Sequence, residues 1–108
     1  MSRQILEQVR DELKACHVIK SNSEFCVSWL AKDESYMRGL RFRNLNPSAD
    51  ALATCASKLG YYAKHLKGSK QAEQREWSER FYHLRGLCQQ AMETQARAKW
   101  LTAERMGL

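Results

Sequence analysis

The chain has a single proline, Pro47, and five glycines in 108 residues, so little interrupts its helical patterns. No run approaches the roughly 18 to 20 apolar residues of a membrane-spanning helix. The N-terminus, MSRQILEQVRDEL, alternates charged with apolar groups and carries no signal-peptide core. The expectation is a soluble, intracellular, cytoplasmic protein without membrane contact. Cysteines stand at 16, 26, 55 and 88 with no CxxC pair; each falls on an apolar helical stripe, so buried reduced thiols are expected in place of a disulfide framework or a metal site. Catalytic signatures are missing as well. His17, His65 and His83 are isolated, no serine or cysteine lies in a nucleophile motif, and no glycine-rich phosphate loop exists. The acidic pairs Asp11-Glu12 and Asp33-Glu34 are adjacent on helices and face different directions. The chain reads as a non-enzyme that needs no cofactor.

Negative charge is in short supply, and the formal net charge is +6. Half of that excess falls in residues 47–70, through Lys58, Lys64, Lys67 and Lys70 set against Asp50 alone. A modest basic excess shifts the odds only slightly towards a polyanionic partner; here it follows directly on an arginine-bearing helix.

The periodicity predicts an all-α protein. Ile5, Leu6, Val9, Leu13 and Cys16 make a helical stripe over about Arg3 to Val18. Ser21-Asn22-Ser23 breaks the pattern and caps a helix beginning at Glu24, with Phe25, Cys26, Trp29 and Leu30 on one face. A polar turn, Ala31-Lys32-Asp33-Glu34, leads to a third helix whose Met37 and Leu40 face inward, three residues apart. That helix ends near Asn44 to Asn46, because Pro47 disfavours helical geometry just before it. Asn46 is then the expected N-cap of a fourth helix carrying Leu52, Cys55, Ala56 and Leu59, with Gly60 as its C-cap. Tyr61, Tyr62 and Leu66 add a short turn, and 67–70 form a linker. Residues 71–106 contain no proline and one glycine, Gly86, and read as one long helix.

Residues 23–59 therefore have the outline of a helix-turn-helix, and they resemble the core of the lambda-repressor-like (Cro/C1-type) DNA-binding domains. The matching residues are Leu30 and Ala31 at the end of the first helix, Met37 and Leu40 in the second, and Pro47-Ser48 and Leu59-Gly60 bounding the next. The sequence departs from that pattern in having Ala31 for the usual turn glycine, Lys32 for an apolar residue, and Val27 for a smaller one. The resemblance covers about a third of the chain. It implies a sequence-specific DNA-binding transcriptional regulator of bacterial, phage or mobile-element type, with double-stranded DNA as partner.

On that reading Ser35 and Tyr36 lie nearest the phosphates and base edges at the start of the recognition helix. Arg38 is placed for direct readout of guanine. Gly39 beside it is either a point of close approach or a tolerated surface glycine. Arg41 and Arg43 flank the helix towards the phosphates, Lys32 and Ser48 add contacts from neighbouring turns, and Phe42 faces outward, towards thymine methyls, a partner protein or helix four.

In the C-terminal helix Trp77, Phe81, Leu84, Cys88 and Ala91 continue into a seam with alternating steps of four and three, a coiled-coil pattern. A helix of that length outgrows a small head, so the seam predicts a homodimer. Trp100, off the seam, marks a further surface. The expected organisation is a DNA-binding domain at 1–66, a linker, and a dimerisation element at 71–108. The competing reading is an all-helical protein-interaction module, an inhibitor or antiactivator, that docks a protein partner through the long helix and binds no DNA. Asp33 and Glu34 at the mouth of the recognition helix suit that alternative; Arg38, Arg41 and Arg43 suit DNA.

Overall fold

A computed structural model describes residues 2–107, and the protein is all-helical with a long final helix. The elements are α1 (Ser2–Ala15), α2 (Asn22–Glu24, continuing as a π-helical stretch, Phe25–Trp29), α3 (Tyr36–Arg43), α4 (Ala49–Lys67) and α5 (Ala72–Trp100). Leu6, Val9 and Leu13 of α1, Phe25, Cys26, Trp29 and Leu30 around α2, and Met37 and Leu40 of α3 are all buried in one core. None of the described helices is long and apolar enough to cross a membrane.

Three helix ends are closed by a non-glycine residue in the left-handed region. At the end of α1, His17 has φ 63°; the Val18 amide donates to Leu13 O at 2.9 Å and the His17 amide to Lys14 O at 3.1 Å. This paired closure satisfies carbonyls that the helix end leaves free, and it stops α1 before the expected Val18. Asn44, φ 53°, closes α3 in the same way through Leu45 N–H to Leu40 O at 2.8 Å. The wider π-helical turn of α2 needs one residue more, and Lys32 N–H reaches Cys26 O at 2.9 Å across Ala31, φ 54°.

Alanine pays a steric cost in that conformation that glycine avoids. Ala31→Gly is therefore expected to raise the unfolding free energy by about 0.5–1 kcal/mol, after allowing for glycine's freer unfolded chain. Urea denaturation with an unchanged slope checks it; a loss of stability would mean that the Ala31 methyl packs against the core with a gain larger than the strain.

The largest departure from expectation lies in α4. Gly60 does not end it: the helix runs through to Lys67 and caps at Gly68. The Arg85 side chain crosses close above Gly60, so that a Cβ there would meet it at 3.2 Å. Nor is Asn46 the N-cap. Ser48 takes that role, its Oγ accepting the Ala51 amide at 3.1 Å, while Pro47 lies buried just ahead of it.

Because α4 is long, α5 has a partner within the same chain. The two helices pack along each other, and Phe81, Leu84, Cys88 and Ala91 are buried in the common core with α1 and α4. Ser78 Oγ donates to Ala63 O at 2.6 Å, and the Arg80 guanidinium pairs with Glu12 of α1. Gln95 Nε2 donates to Ser2 Oγ at 2.9 Å and Pro47 O at 3.0 Å, tying α5 to α1 and the α3–α4 loop. The seam read as a dimer contact is thus the inner face of a helical hairpin. In place of the expected head and separate C-terminal element there is one shared core, and the first turn and the last turns of α5 stand clear of it.

The four cysteines are free. Cys55 and Cys88 meet between α4 and α5, where the Cys88 thiol and burial together hold Cys55 well above the usual thiol range. A thiol so placed stays protonated and inert.

Candidate functional site

The surface of interest is the outer side of α3. Met37 and Leu40, each 6 % exposed, fix its inner side. Arg3 of α1 holds the C-terminal end of α3 from behind, donating from Nη1 to Leu40 O at 3.4 Å and Asn44 Oδ1 at 3.2 Å. The preceding helix is anchored to α4 by Lys58, whose Nζ donates to Ser28 O at 2.7 Å and stands 4.6 Å from the centre of the Trp29 ring. The Tyr62 ring lies 5.6 Å from Trp29 on the same side. Both helices of the pair are thereby set on the α1/α4 body, and the turn between them is held by Ala31.

Arg38, Arg41, Phe42 and Arg43 are all exposed. Phe42 stands out at 90 % exposure, in the last turn of a basic helix. Arg43 bends back over the preceding turn of its own helix, its Nε donating to Gly39 O at 3.4 Å. A Cβ at Gly39 would meet the Arg43 guanidinium at 3.0 Å, the mobile end of a flexible chain. Arg38 and Arg41 line a cleft of about 380 Å³ between α1, α2 and α3, together with Arg10 and, as counter-charges, Glu7 and Glu34. Arg10 has no signal in the sequence, since nothing in its periodicity tells which side of α1 faces α3.

Other expected contact residues have partners inside the protein. Ser35 donates both its amide, at 2.9 Å, and its hydroxyl, at 2.5 Å, to Asp33 Oδ1. Those two bonds, the hydroxyl's first, hold the exposed Asp33 carboxyl below its usual range. The Tyr36 hydroxyl accepts the Ser48 amide at 3.0 Å. Lys32 pairs with Asp50 at 3.0 Å and lies 5.7 Å from the centre of the Tyr36 ring. Lys32, Tyr36 and Ser48 therefore form a clamp between the turn and the N-terminus of α4. These contacts tie the start of α3 to α4. The basic excess is also displaced: Lys64 and Lys67 lie at the far end of α4, about 24 and 28 Å along the helix from Ser48, and Lys70 follows in the turn beyond it.

Of the expected dimer residues, Phe81, Leu84, Cys88 and Ala91 are inside the core, and Trp77 is half-buried. Trp77 lines an apolar groove of about 260 Å³ with Cys16, Val18, Tyr62, Leu66 and Phe81. Glu12, Glu73 and Glu76 stand beside it. Trp100 and Leu101 are exposed at the other end of α5. Among the described residues no cluster of histidine, cysteine or carboxylate side chains is arranged to hold a metal ion.

No curated protein and no solved structure matches the chain. A family profile does, over residues 6–101, from within α1 to the end of α5: the chain belongs to the family of unknown function DUF6626.

Proposed function

We propose that the protein is a sequence-specific binder of double-stranded DNA, of the lambda-repressor-like helix-turn-helix kind, and acts in transcriptional regulation as a homodimer. The observation that carries this reading is the presentation of α3: a helix tied to the body at both ends that exposes Arg38, Arg41, Phe42 and Arg43, with Glu7 and Glu34 beside the first two. An α-helix of that bearing fits the major groove, where arginines find phosphates at the walls and base edges on the floor. The left-handed Ala31 supports the same reading, because a residue in that conformation ends one helix and lets the chain turn towards the next.

Since the seam of α5 is buried, pairing of two copies falls to what α5 leaves exposed, including Tyr82, Trp100 and Leu101. A protein-interaction module without DNA binding is the second reading. The apolar groove around Trp77 favours it, as do Glu7 and Glu34, which offset part of the arginine charge in the α3 cleft.

Salt dependence separates these. With about three basic side chains from each of two copies, Arg41 and Arg43 among them, neutralising about six phosphates, the logarithm of the binding constant should fall against the logarithm of salt with a slope near −5 on mixed duplex fragments. A slope near −3 means that a single copy binds. No binding at low salt rules the DNA reading out.

A further inference from the structure

Phe42 is the residue on this surface that electrostatics does not explain. An arginine gains from solvation where it stands, whereas a phenyl ring at 90 % exposure presents apolar area to water and is covered by no neighbouring element. At about 100° per residue, Phe42 lies about 170° round α3 from the midpoint of the buried Met37 and Leu40. It is the centre of the outward face. Arg38 and Gly39 lie about 130° from the same midpoint, one on each side. Gly39 contributes no side chain, so beside the ring there is a shelf bounded only by the mobile Arg43 guanidinium. Arg41 and Arg43 flank the ring in sequence, and the charge around it suits a polyanion.

We propose that Phe42 reads the 5-methyl group of thymine in the major groove, and that the Gly39 shelf lets that methyl approach the ring. This rests on the DNA-binding reading of α3. Among the major-groove edges of the four bases, the thymine 5-methyl is the one apolar substituent that projects into the groove. An apolar side chain on the outward face of a reading helix therefore selects thymine. Arg38 precedes Phe42 by four residues, about 6 Å along the helix. The thymine should fall within about two base steps of the guanine that Arg38 contacts, given about 3.4 Å per step.

The experiment begins with a site selected by the intact protein from a randomised duplex library. Each thymine in that site is then replaced, one at a time, by deoxyuridine, which lacks only the methyl group. Wild-type protein should lose about three- to fivefold in affinity at one thymine in each half-site, the worth of one buried carbon. Phe42→Ala should bind the parent site more weakly and lose nothing further at that same position, while circular dichroism shows its helices unchanged; Phe42→Leu should retain part of the discrimination. Wild-type protein indifferent to every replacement, Phe42→Ala as sensitive as wild type, or a selected site without thymine near the contacted guanine would each overturn the assignment while leaving DNA binding in place. If no duplex is selected at all, the DNA reading itself fails and this proposal with it; a protein captured by wild type but not by Phe42→Ala would then make the ring a protein-docking residue.

Discussion

Leu84→Ala is expected to lower the unfolding free energy by about 3 kcal/mol, and by the same amount at every protein concentration. Leu84 is 0 % exposed, packed between α4 and α1 with Phe81 and Cys88 beside it. Truncating a buried leucine removes its transfer free energy and leaves a cavity, at about 2–5 kcal/mol in total. For a chain of this size that is a large share of a stability of order 5–15 kcal/mol. Concentration is the discriminating variable. Were the seam shared between two copies, truncation would weaken their association, and its effect would vary with dilution. Urea denaturation at micromolar and at tenfold lower concentration therefore tests the position of α5: identical shifts support the intramolecular hairpin, and a shift that grows on dilution contradicts it.

The second large effect concerns α3. Arg38→Ala should relax preference at one base position in each half-site and reduce specific affinity by about 1–3 kcal/mol, with non-specific affinity changed far less. Arg38 is exposed beside Phe42, at the rim of the cleft it shares with Glu34, and would extend out of that cleft to donate to guanine O6 and N7. Arg43, folded over Gly39 at the edge of the helix, is placed for the groove wall. Arg43→Ala should weaken all sequences by similar factors and reduce the salt slope by about 1 for each phosphate no longer neutralised. Competition binding at two salt concentrations reads both. Equal, sequence-independent decreases for the two variants would mean that α3 is rotated relative to the groove from the orientation proposed.

Much of this architecture is legible in the residues, and the parts that are not have physical reasons. Met37 and Leu40 sit where their spacing puts them, because a helix on a body must bury one stripe. Ala31 at the turn and Asn44 at the end of α3 are also positioned by local chemistry: one closes a helix against its own preference, the other with a side chain that tolerates the left-handed region. Gly60 misleads, since a glycine ends a helix only when the chain turns there; in α4 it instead leaves room for Arg85 to cross. That single misplacement moves the dimer contact. With α4 cut at Gly60, α5 has no partner in its own chain and its seam must look outside; with α4 running to Lys67, the same residues close the core. Heptad spacing tells which residues of α5 are apolar, and it does not tell whose helix covers them.

At the site, the same distinction holds between helix faces and tertiary neighbours. The outward arc of Arg38, Gly39, Phe42 and Arg43 follows from 3.6-residue periodicity. The clamp of Lys32, Tyr36, Ser48 and Asp50, and the approach of Arg10 to Arg38 and Arg41, depend on how α1 and α4 cross α3. No local pattern encodes those crossings.

The central claim is that α3 reads DNA sequence, and selection of duplexes from a randomised library by the intact protein, followed by sequencing of the bound fraction, tests it most directly. The account predicts one enriched motif containing a guanine and a nearby thymine, with the guanine preference relaxed in Arg38→Ala. A bound fraction with the same composition as the input library, or no bound duplex even at low salt, would contradict it.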